Sequence, residues 1–229
     1  MIFLAAMIAV APAPAKPPTC VDALAKEAIN CQLDAQTSGD SAKAAQGFED
    51  SARALRANDP EAGKLWAAAG NMWIEADQPG KAAFAFDQAL AAPGMTGDLR
   101  GETLLDRARA AEAQGDLRMA RAKLTEAAQL VPDDPFIWYF SAALAIREGD
   151  PATARSAIAR ALALAPNDPT ILFEAGHVAD LGGDEDQARH YWEQAEARDP
   201  NGGIGKAAAK AIEMLGVTPT VKSETAPPK

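Results

Sequence analysis

A repeat interval constrains this chain more than any other feature. Gly115-Asp116, Gly149-Asp150 and Gly183-Asp184 recur every 34 residues, and Pro132, Pro166 and Pro200 keep the same step. Aligned on these marks, three units begin at Gly101, Pro135 and Pro169. A fourth begins at Gly63, with Asp77-Gln78 where the others have Gly-Asp. A weaker one begins near Ala25 and carries Gly39-Asp40. The two earliest starts are each followed by a step of 38 residues, so four residues are inserted after each of those units. Periods of about 20–50 residues mark stacked supersecondary units, none of which can bury its apolar face alone.

Each unit carries two apolar stripes at helical spacing. In the unit that begins at Pro135 these are Trp138, Ala142 and Ala145, then Ala154, Ile158 and Ala161. That spacing predicts two amphipathic helices. The Gly-Asp between them predicts the turn, because glycine adopts positive φ freely. Asp150 offers a side-chain oxygen to the orphan amides of the next helix, and Pro151 suits its first position. Pro166-Asn167-Asp168-Pro169 then ends one unit and opens the next. The 229 residues include 55 alanines, while aromatics make up only 6%. Such a composition favours helices whose backbones approach closely.

Position by position, the units resemble the tetratricopeptide repeat (TPR), a helix–turn–helix of about 34 residues. The fourth place holds Trp66, Leu104, Trp138 and Leu172, and the eighth is small: Gly70, Ala108, Ala142 and Gly176. The twentieth place is alanine in all five units: Ala44, Ala82, Ala120, Ala154 and Ala188. The twenty-fourth is bulky (Phe48, Phe86, Leu124, Ile158, Trp192), and the twenty-seventh is small (Ser51, Ala89, Ala127, Ala161, Ala195). The first unit departs, with Ala28 and Gln32 at its fourth and eighth places, and Arg56 and Gly94 replace the closing proline of the first two units.

The resemblance implies an all-α fold, a right-handed superhelical solenoid of about five helix pairs. The array runs over residues 22–200, with repeats near 25–58, 63–96, 101–134, 135–168 and 169–202. Residues 203–216 read as a capping helix with Ile204, Ala208, Ile212 and Leu215 on its buried stripe, and 217–229 as a disordered tail.

The apolar run Met1–Val10 is too short to span a bilayer, and Pro12 and Pro14 break it. It suits the apolar core of a secretory signal, with cleavage after Ala15 and a Pro-rich linker over residues 16–21. It lacks a basic leader segment. Export to the periplasm or beyond is the expectation, with a cytoplasmic protein if the leader is not processed.

The net charge is −10, which argues against nucleic acid as a partner. The mature chain has no segment suited to a stable membrane span. Two cysteines and two histidines make no disulfide framework and no zinc cluster. On one helix, Cys20 and Cys31 would stand about 16 Å apart, beyond disulfide reach. They pair only if residues 17–24 fold back, and otherwise leave a free thiol or an intermolecular bridge. No H-E-x-x-H or phosphate-binding G-K-[ST] occurs. Neither a catalytic group nor a cofactor is implied. Asp184-Glu185-Asp186 reads as a helix start, where acidic groups favour the dipole.

The resemblance places function on the concave face, lined by the first helix of each pair. Its contact places here carry Asn71 in the second unit, Arg109 in the third, Phe136, Tyr139, Phe140 and Arg147 in the fourth, and Phe173 and His177 in the fifth. The four aromatics are expected either to form an apolar pocket flanked by Arg109, Arg147, Glu174 and His177, or to fill the seam between units. The carboxylate clamp of chaperone-binding TPRs is not reproduced: Ile29 and Leu33, then Glu102 and Phe136, stand at its positions. The expected partner is a protein segment, extended or an amphipathic helix. The implied role is a non-catalytic adaptor in a bacterial envelope. Self-assembly, or service as the accessory subunit of an envelope enzyme or secretion complex, is the alternative.

Overall fold

The computed structural model describes residues 40–56 and 58–215. The leader, the linker, both cysteines, the first helix of the first unit and the tail lie outside these residues. The described residues form ten helices: α1 (Ser41–Ala54), α2 (Glu61–Glu75), α3 (Pro79–Ala91), α4 (Gly97–Ala113), α5 (Leu117–Leu130), α6 (Pro135–Glu148), α7 (Pro151–Leu164), α8 (Pro169–Leu181), α9 (Glu185–Arg198) and α10 (Gly203–Leu215). Each packs chiefly on its neighbours in sequence, and α2 also touches α4 while α6 touches α8. This is the nearest-neighbour stack of an α-solenoid.

One turn design recurs. The amide of the residue that caps each of these second helices, just before its first residue, reaches five residues back: Gln78 to Trp73 O, Asp116 to Ala111 O, Asp150 to Ala145 O and Asp184 to Ala179 O, at 2.9–3.0 Å. This is the closure of a Schellman motif, which needs a left-handed residue just before it. Gly115, Gly149 and Gly183 supply it with φ of 79°, 73° and 79°, and Asp77 supplies it with φ of 53°. The aspartates then cap the next helix. Asp40, Asp116, Asp150 and Asp184 accept from the amides of Lys43, Met119, Thr153 and Gln187. Gln78 makes no such bond. Asp184 is thus occupied as a cap, and Glu185 and Asp186 sit in the first turn of α9.

The small eighth place and bulky twenty-fourth place are two halves of one contact. A methyl group on Gly70 would collide with the Phe86 ring, and one on Gly176 with the Trp192 indole. Where the partner is the smaller Leu124 or Ile158, alanine fits: Ala108 and Ala142 lie buried in the same clusters. Between units, the buried guanidinium of Arg107 on α4 bonds both carboxylate oxygens of Asp87 on α3, at 2.8 and 3.2 Å. Glu49, only 6% exposed, is satisfied by the Trp73 indole at 2.7 Å and Arg53 at 2.6 Å. Such pairing offsets much of the penalty of burying charge at Glu49, while Nη1 of Arg107 finds no partner among the described residues.

The four residues inserted ahead of the third unit are wound into helix. α4 begins at Gly97, ahead of the expected Gly101, and is 17 residues long. Four residues make just over one turn, so Gly101, Leu104 and Ala108 keep their buried faces. The preceding loop drops Met95 over Gly63. At the far end, α10 covers α9 and α8. Ala208 is fully buried, and Ile204, Ile212 and Leu215 pack partly buried on the last cluster. Among the described residues, no helix is long and apolar enough to cross a membrane.

Candidate functional site

The first helices of units three to five, α4, α6 and α8, open a cleft of about 550 Å³. Helical register decides which side chains reach it. On α6, Ile137 and Ala145 are fully buried, so the opposite stripe, Tyr139, Ala143, Ile146 and Arg147, turns to the cleft, with buried Leu144 at its base. Phe140, 8% exposed, belongs both to the third-unit core and to the cleft floor. From α8 come Glu174, His177, Asp180 and Leu181, and from α4 comes Glu112.

Electrostatics divides the rim. Arg147 forms an ion pair with Glu112 across two units. Arg109 pairs with Asp106 at 3.0 Å and lies over the Phe140 ring at 5.9 Å. Nδ1 of His177 stands 3.4 Å from Glu174 Oε2, and its ring meets Phe173 and Trp192 edge-on at 4.5 and 5.6 Å. Asp180 is exposed and forms no ion pair among the described residues. Burial raises the Tyr139 hydroxyl above its ordinary pKa, and the charge of Glu174 adds to that. Burial likewise raises the Asp106 carboxyl. Arg109 and a hydrogen bond with Asn71 oppose the rise, and Glu102 assists it.

A second cleft, about 590 Å³, adjoins the start of α6. Phe136 and Leu130 form its apolar wall, and its charged residues are Asp98, Glu102, Asp133 and Asp134. Phe136 and Tyr139 touch edge-to-face at 6.4 Å, which joins the two clefts along one helix face.

Of the eight residues singled out by sequence, Tyr139, Phe140, Arg147 and His177 line the first cleft. Arg109 stacks on its floor, and Phe136, 37% exposed, lines the second. Phe173 is half-buried behind His177, and its carbonyl accepts the Trp192 indole at 3.0 Å. Asn71 is exposed on α2, within reach of Asp106. The second cleft was not anticipated. Its signals were the Asp133-Asp134 pair and the inserted turn that carries Asp98. Among the described residues, no group of three or more His, Cys, Asp or Glu is placed to hold a metal ion.

Residues 111–172, from the end of α4 to the start of α8, match the family model described as tetratricopeptide repeat. Within those bounds the helix pairs are tetratricopeptide repeats. The helical array as a whole shares its fold with several solved structures. PilW, described as a widely conserved type IV pilus biogenesis factor, is 17% identical with a TM-score of 0.64, covering 81% of this chain and 82% of its own. YrrB, described as a TPR protein with an unusual peptide-binding site, is 19% identical with a TM-score of 0.55, covering 82% and 92%. MamA from Desulfovibrio magneticus RS-1 is 15% identical with a TM-score of 0.61, covering 77% and 95%. At these identities the likeness is one of fold. None of the curated proteins matches the chain in sequence.

Proposed function

We propose that this TPR chain is a non-catalytic adaptor of the bacterial cell envelope, holding a segment of a partner polypeptide on the concave face of units three to five. The observation that carries the reading is the pair of adjoining clefts, floored by Tyr139, Phe140 and Phe136 and rimmed by charge. Part-exposed aromatics such as Phe136 and Tyr139, seated over the buried Phe140 ring, supply contact area with little side-chain entropy to lose. The peptide-binding site in the description of YrrB supports the mode of action. The apolar leader and the fold shared with a pilus biogenesis factor support the compartment.

A photo-crosslinking amino acid at position 139, compared in the native cell with one at position 193 on the outer helix α9, tests both parts. The expected result is a discrete partner captured from 139 and not from 193, with the mature chain beginning at Lys16. Capture from 193 alone would move docking to the outer face. Capture of a second copy of this chain would replace the adaptor by a self-assembling subunit.

A further inference from the structure

We infer that the segment held on this face is cationic as well as apolar, an extended run that alternates arginine or lysine with large apolar residues. The inference rests on the concave-face reading and adds the chemistry of the occupant. The charges lining the two clefts are Glu112, Glu174, Asp180, Asp98, Glu102, Asp133 and Asp134 against Arg147 alone. Arg147 is neutralised by Glu112, and the nearby Arg109 by Asp106. Carboxylates therefore face the cleft space in excess, in a chain that is acidic as a whole.

An anionic segment would meet repulsion along most of the rim, with Arg147 already paired to Glu112. A cationic one gains charge-assisted bonds at Glu174 and Asp180. The apolar component is set by the Phe136–Tyr139 pair, which lies between the acidic rims and has no charge of its own to offer. α6 is 14 residues long, about 21 Å, so a segment lying along it needs about six extended residues. Alternation then sends basic side chains to the rims and apolar ones to the rings.

The test uses the full chain and two fluorescein-labelled peptides of about twelve residues, one alternating Arg and Leu, the other Glu and Leu, followed by anisotropy. The Arg–Leu peptide is expected to bind and the Glu–Leu peptide not. Rising salt should weaken the binding. Glu174→Gln with Asp180→Asn should weaken it about tenfold at low salt. Glu193→Gln with Glu196→Gln, two exposed carboxylates on α9, should leave it unchanged. Circular dichroism checks that each variant folds.

Equal or tighter binding of the Glu–Leu peptide overturns the inference, as does binding of neither peptide. So does an equal effect of the outer-face pair, because the attraction would then be diffuse. If a Glu–Leu peptide binds and Tyr139→Ala abolishes that binding, the cationic chemistry fails while concave docking stands. If Arg–Leu binding ignores both Tyr139→Ala and the cleft carboxylates, the concave reading fails with it.

Discussion

Asp77 is the only described non-glycine residue with positive φ, and it does the work of Gly115, Gly149 and Gly183. Aspartate tolerates this region better than most residues, but glycine enters it without a steric penalty. The next residue, Gln78, leaves the first amides of α3 without the side-chain cap that Asp116 gives α5. Restoring the pattern with Asp77→Gly and Gln78→Asp should raise stability by about 1–2 kcal/mol, read as a higher urea midpoint. An unchanged midpoint would mean that the turn is already relaxed. Asp106 offers a test by pH. Its raised pKa means that the folded chain binds this proton more readily than the unfolded one. The ionised carboxylate therefore disfavours folding above the folded pKa; the penalty shrinks as pH falls through that value and is gone below the unfolded one. Asp106→Asn should leave the chain as stable as the parent or more so at pH 7, with the advantage fading in acid. A variant that is least favourable at neutral pH would show the Arg109 pair to outweigh burial.

At the scale of helices, the crossing point sets the terms. Gly70→Ala should destabilise the second unit by about 1–3 kcal/mol through overpacking against Phe86. Phe86→Leu should recover much of that loss in the double variant, since the two side chains share one contact. Simple additivity in thermal unfolding would refute the coupling. Phase is the other constraint. Deleting residues 97–100 shortens α4 by just over one turn, whereas deleting 97–98 rotates the lead-in of the helix by about 200°. The longer deletion should keep cooperative unfolding, and the shorter one should lose helicity in the third unit by circular dichroism. The crossing point was legible in the sequence, because contacts within a unit lie at fixed sequence distances, and the Gly-Asp turns and the alanines follow from that. The winding of the insertion into α4, which starts four residues ahead of the expected Gly101, was not legible. Which groove-facing side chains share a cleft was not legible. Phe136 and Tyr139 are neighbours on one face yet open into different clefts. Arg147 is drawn to a carboxylate of the preceding unit. Those outcomes depend on the angle between successive units, which no local pattern encodes.

Across the whole molecule, stability passes from neighbour to neighbour, so the ends matter most. α10 shields Trp192, Ala195 and Leu172 from water. A chain ending at Arg198 should lose about 3 kcal/mol from its last unit, or roughly 5–10 °C in Tm. It should also associate at high concentration in light scattering, because the bared face is apolar. A monomer with unchanged Tm would show the cap to be dispensable. The lengthened α4 bears on how such an array changes over time. Because its surplus was absorbed as one complete coil, neither flanking unit had to shift register. An insertion that matches the helical pitch keeps the phase of the helix that carries it, so the inner surface of the neighbouring units is left undisturbed.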